Sequence, residues 1–95
     1  MKATLLLRSK EVLSDGAILE MVIWQLPEPV PGCCHSYKYR LYFGQGGKRL
    51  VGYDNERLKG DHCHMSGKEL PYEFSTVDQL VDDFITAVRK RRTQK

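Results

Sequence analysis

Val77, Leu80, Val81, Phe84, Ile85 and Val88 recur at spacings of three and four, the repeat of one helix face. A helix with such a stripe has to bury it against another element. Ser75 is a good N-cap, and Asp78, three residues on, makes a weaker form of the capping box. Asp78, Asp82 and Asp83 near the start, and Arg89, Lys90 and Arg91 near the end, match the helix macrodipole. The stripe therefore reads as core rather than as a cofactor site.

What the helix packs on is set by a different period. Residues 3–13 and 17–26 read as two strands around Ser14-Asp15-Gly16, a hairpin turn. In the second, Leu19, Met21 and Ile23 share one face and Glu20, Val22 and Trp24 the other, so a central strand is expected. Pro27, Pro29 and Pro31 then stiffen an extended loop. Residues 36–43 alternate again, with Tyr37, Tyr39, Leu41 and Phe43 on one face. Gly44 to Gly47 turns the chain into a strand over 48–53, and the polar run 54–60 reads as a loop. A short strand is expected over 62–66, and another over 69–74 that Pro71 confines to a sheet edge. The fold class is α+β: an antiparallel sheet of four to six short strands against one C-terminal amphipathic helix.

Ninety-five residues make one domain, 1–95, with one modest core. No run of 18 apolar residues exists, and the start of the chain is too short in apolar residues for a signal peptide. The expectation is a cytoplasmic protein that meets no membrane. Three cysteines, Cys33 and Cys34 adjacent and Cys63 alone, do not form a disulfide framework and read as incidental or buried thiols. The net charge of +3 is uneven: residues 89–95 carry five positive charges, leaving −2 on the rest. That basic tail is either a solvated helix end or a phosphate contact.

One segment is dense in chemistry. Tyr53 to His64 holds two histidines, three carboxylates among Asp54, Glu56 and Asp61, an amide, Asn55, and the cations Arg57 and Lys59. On an extended strand His62 and His64 point to one face, ~6.6–6.8 Å apart, with Cys63 opposite. Two imidazoles so placed can flank a phosphodiester, one taking a proton as the other gives one. Lys59, with backbone N–H groups at Gly60, can approach the developing negative charge. Asp54 or Asp61 can orient an imidazole. The bland reading is a decorated strand beside a charged surface loop. A metal reading uses His62, His64 and Asp54 as three ligands for zinc or manganese. His35, in the proline-rich loop, reads as a surface histidine unless that loop borders the site.

The order of motifs resembles one family. Lys2-Ala3 with Leu5 to Arg8, Asp15-Gly16, Val22 to Gly32, Tyr37 to Leu41, Tyr53 to Glu56, Lys59 to His62 with His64, and Pro71-Tyr72 with Phe74 are similar to the TumE-type toxins of prokaryotic toxin–antitoxin modules. The resemblance spans almost the whole chain and is most specific from Tyr53 to His64. It implies a toxin of RNA-interferase type, paired with an antitoxin that carries a helix-turn-helix domain. The matching motif positions are Asp54, Asn55, Lys59, Gly60, His62 and His64. The chain departs from the pattern at Cys63, where the family tends to have arginine, and at Cys33-Cys34, where small polar residues are usual.

Together these readings describe an endoribonuclease toxin with RNA as substrate and no cofactor. Its reaction is metal-independent, with the ribose 2′-OH attacking its own phosphate. His62 and His64 are base and acid, Lys59 stabilises charge and Asp54 orients. Asn55, Gly60, Asp61, Arg40 and Lys38 are substrate contacts. A homo-oligomer is compatible with the sequence. The competing readings are a non-catalytic module that binds nucleic acid or protein, and a metal-dependent nuclease using the same histidines.

Overall fold

The computed structural model describes residues 3–29, 31, 35–56, 60–65 and 67–93. Six strands precede one helix: β1 (Thr4–Val12), β2 (Ile18–Gln25), β3 (Tyr37–Gln45), β4 (Lys48–Glu56), β5 (Gly60–Met65), β6 (Lys68–Pro71) and α1 (Val77–Thr93). They form one antiparallel sheet in chain order, a meander. The β3–β4 turn is made by Gly46 and Gly47, with φ of 62° and 78°, between Gln45 and its ladder partner Lys48. Two consecutive left-handed residues are what a tight hairpin needs, and glycine takes that conformation without strain.

The alternation read from the sequence fixes the faces. Leu19, Met21 and Ile23 of β2 stand beside Phe43, Leu41 and Tyr39 of β3. Leu41 and Phe43 face Tyr53 and Val51 of β4, and Tyr53 faces Cys63 of β5. Leu80, Phe84 and Val88 of α1 close this face, and Ile23, Leu80 and Phe84 have no exposed surface. Burial pushes the Tyr53 hydroxyl up to about 12 and the Cys63 thiol upward as well. Cys63 is thus a packing residue with little thiolate character. The other face of the sheet carries Val22, Trp24, Lys38, Arg40, Asp54, His62 and His64, and α1 lies on the opposite side.

Three boundaries differ from the expectation. Residues 54–56 are not loop: β4 runs through them to Glu56, and β5 begins at Gly60. Asn55 of that polar run is satisfied inside the sheet. Asn55, with no exposed surface, accepts from Tyr39 N–H through Oδ1 at 3.1 Å and donates from Nδ2 to Tyr37 O at 2.6 Å. The last strand is shorter than expected and ends at Pro71, on the sheet edge where a missing N–H costs nothing. The helix is capped by Thr76, not Ser75. Thr76 Oγ1 accepts from Gln79 N–H at 3.0 Å, and Thr76 O accepts from Leu80 N–H at 2.9 Å. Cys33 and Cys34 lie outside the described residues.

Candidate active site

Asp54, His62 and His64 meet on the face away from α1. The ladder places Asp54 between Arg40 on β3 and His62 on β5. It places His64 between Gly52 on β4 and Glu69 on β6. Asp54 Oδ1 lies 2.6 Å from His62 Nε2 and 3.8 Å from His64 Nε2. Glu69 Oε1 lies 3.7 Å and 3.5 Å from the same two nitrogens. The rings stand edge to face with centroids 5.1 Å apart. Although α1 is on the other side, His62 is buried, and Asp54 and His64 are half-buried.

The two histidines sit in opposite hydrogen-bonding environments. His62 Nδ1 faces Gly60 O at 3.3 Å, and Nε2 faces the Asp54 carboxylate. Both neighbours only accept. His64 Nδ1 faces Arg49 Nη2 at 3.0 Å. A guanidinium only donates, so this nitrogen holds a lone pair and the ring is neutral, with its proton on Nε2. Burial first, and Arg49 second, hold the His64 pKa below the ordinary 6.5. The cluster thus pairs an imidazole set among acceptors with one set against a donor, beside a shallow depression of about 290 Å³ bordered by His62, Glu69, Leu70 and Pro71.

The structure sorts the residues expected from sequence. It brings Asp54, His62 and His64 together, with Arg40 one strand away. Lys38 lies farther along the same face and donates from Nζ to Asn55 O. Gly60 contributes its carbonyl to His62. Asn55 and Asp61 point to the other side. Asp61 Oδ1 accepts from Tyr39 Oη at 2.6 Å and lies 2.7 Å from His35 Nε2. His35 is not a surface histidine. Its side chain is 9% exposed, its Nδ1 accepts from Tyr37 N–H, and its ring lies 3.9 Å from that of Phe74. Asp61 orients an imidazole, as the sequence suggested, but of a different histidine on a different face. Lys59 lies outside the described residues. The basic end of α1 is also remote: Arg92 reaches Asp15 at 3.4 Å and covers the Phe43 ring on the helix side of the sheet.

Arg49 and Glu69 escape a reading from sequence, because they join the cluster only through strand register. The available signal is Gly52. A Cβ there would lie 2.7 Å from Arg49 Cδ, so the missing side chain is what lets Arg49 cross the sheet to His64.

A family model described as Toxin TumE matches residues 2–92. The chain belongs to the TumE toxin family. No curated protein and no solved structure matches it. As a toxin, this family member implies an antitoxin partner. Among the described residues no helix is long and apolar enough to cross a membrane.

Proposed function

We propose that this TumE-family toxin is a cytoplasmic endoribonuclease, silenced by an antitoxin with a helix-turn-helix domain. The observation that carries this reading is the asymmetric pair of histidines: His62 set against a carboxylate, His64 held neutral by Arg49. Neutral His64 is the base. Arg49 is exposed, and a phosphodiester draws its guanidinium away from His64 Nδ1. The freed nitrogen takes the proton of the ribose 2′-OH, and that oxygen forms a bond to phosphorus. The bond from phosphorus to the 5′-oxygen breaks, and His62 gives the leaving oxygen its proton. The products are a 2′,3′-cyclic phosphate and a 5′-hydroxyl. Arg49 stabilises the charge on phosphorus, the role the sequence suggested for Lys59. Asp54 holds His62 in place.

A second reading has its own support. Asp54, His62 and His64 offer ligand atoms that all lie within 4.8 Å of one another, a set suited to a divalent ion. In that case His62 keeps its proton on Nδ1 toward Gly60 O and turns a bare Nε2 toward the metal.

The deciding experiment for the function is expression of the wild type and of His62→Ala/His64→Ala, with growth and RNA integrity as readouts. Growth arrest with RNA cleavage by the wild type alone is expected. Growth arrest with intact RNA would leave a toxin that is not a ribonuclease.

A further inference from the structure

The sheet face that carries the histidine cluster continues past it. On β2 and β3, Glu20, Val22, Trp24, Lys38 and Arg40, with Tyr39, line a depression of about 250 Å³. It lies in line with the cluster: Val22, Arg40, Asp54 and His62 occupy one row across four neighbouring strands. Neighbouring strands are about 4.8 Å apart, so the floor at Val22 stands about 14 Å from the strand of His62.

Three features of this depression go together. Trp24 is half-buried, and among the described residues no ring or cation covers its indole. Lys38 and Arg40 line it, Lys38 being the ladder partner of Trp24, and Arg8 is the ladder partner of Val22 on the next strand. Arg40 is exposed and lies over the Tyr42 ring, with no carboxylate within ion-pair distance among the described residues. The one carboxylate, Glu20, stands at the far end, two alternations along β2 from Trp24.

We infer that this depression is a nucleobase subsite, in which single-stranded RNA stacks a base on Trp24 and lays its phosphates along Lys38 and Arg40 toward His62. The inference rests on the ribonuclease reading and deepens it. An uncovered indole stacks on any base, and cations beside it neutralise the backbone, which is how single strands are held without base-specific hydrogen bonds. Glu20 repels phosphate, so the strand enters with its backbone on the Lys38–Arg40 side. An A-form duplex keeps its bases stacked inside and presents none to Trp24. The substrate is therefore single-stranded.

Trp24 is the only tryptophan in the chain, so its fluorescence reports this site alone. The probe is a short 2′-O-methyl oligoribonucleotide, which lacks the attacking hydroxyl, added to the wild-type protein. Saturable quenching is expected. Its salt dependence should shrink by about 0.7 in logarithmic slope when Lys38→Ala or Arg40→Ala takes one cation away from a phosphate. Trp24→Ala should weaken binding about 5- to 100-fold in fluorescence anisotropy of a labelled oligonucleotide, with Trp24→Phe in between. Circular dichroism confirms that each variant is folded, and the exposed Arg40→Ala keeps the test open if Trp24→Ala is not. RNA that binds with Trp24 fluorescence unchanged would overturn the subsite and leave the ribonuclease reading standing. Trp24 fluorescence that responds to the antitoxin but not to RNA would make this face a protein interface and overturn the inference too. Quenching by RNA without any cleavage of unmodified RNA would uphold the subsite while the ribonuclease reading fails.

Discussion

Arg49 crosses the sheet over Gly52 and sets its guanidinium 3.0 Å from Nδ1 of His64. Removing the guanidinium in Arg49→Ala removes the second-largest influence that holds the His64 pKa down. The pKa should rise, and a titration of the ring by NMR should show it. Gly52→Ala should act in the same direction, because its Cβ would displace the Arg49 stem. The sign for stability follows from linkage. His64 is depressed in the folded chain relative to 6.5, so its contribution is full above about pH 6.5 and falls as pH drops toward the folded value. Arg49→Ala should make unfolding less sensitive to pH in that window.

Phe84 tests the core. It has no exposed surface and meets the Tyr53 ring edge to face at 6.1 Å. Phe84→Ala should lower the unfolding free energy by about 3–5 kcal/mol, the usual cost of removing a buried aromatic ring. Denaturant unfolding measures it. A loss well under 1 kcal/mol would mean that α1 is not seated on this sheet.

Asn55 separates a structural role from a substrate contact. It bridges Tyr37 and Tyr39 from a fully buried position on the helix side. Asn55→Ala leaves buried backbone groups of β3 without this partner, at about 1–3 kcal/mol each. Stability should fall by that order. Any RNA affinity measured on the folded fraction should stay near wild type. Weaker binding with full stability would return Asn55 to the substrate contacts.

How much of this was legible in the sequence depends on the range of the signal. The stripe from Val77 to Val88 and the alternation at 36–43 carry their own periods, and α1 and β3 follow them closely. His62 and His64 meet because two residues apart on a strand share a face, a local rule. Asp54 joins them only because Asp54 and His62 are ladder partners, and the intervening polar run concealed that β4 continues past Tyr53. Asp61 illustrates the converse. One residue from His62, it looked like a second orienter, but alternation sends it to the other face, where it holds His35. Ser75 and Thr76 both offer a capping hydroxyl, and the structure uses that of Thr76.

The antitoxin should cover the cluster. An inhibitor that blocks this reaction most directly lies over His62, His64 and Arg49, on the face opposite α1. In the complex, amide hydrogen exchange should slow in β4 and β5, and the segment from Tyr53 to His64 should be protected. Protection confined to α1, with toxicity still relieved, would place the antitoxin on the helix side and make its effect indirect.

The chemistry at His62 and His64 is decided by metal, since substitution of either histidine ends activity in both readings. Acid–base cleavage through the 2′-OH continues in EDTA and leaves 2′,3′-cyclic phosphate ends. It fails on a substrate lacking the 2′-OH at the scissile site, and its rate should follow a bell-shaped pH profile set by the coupled pair. In Arg49→Ala the acidic limb of that profile should move to higher pH, because the base becomes easier to protonate. A metal hydrolase stops on chelation, recovers with zinc or manganese, and can cut the 2′-deoxy substrate because a bound water is the nucleophile. Recovery of that kind would make Asp54, His62 and His64 ligands. The Arg49–His64 contact would then have to break for His64 Nε2 to bind metal, because the ring's proton would move to Nδ1. Arg49→Ala would tighten metal binding in that case, a gain that a proton-transfer site does not show.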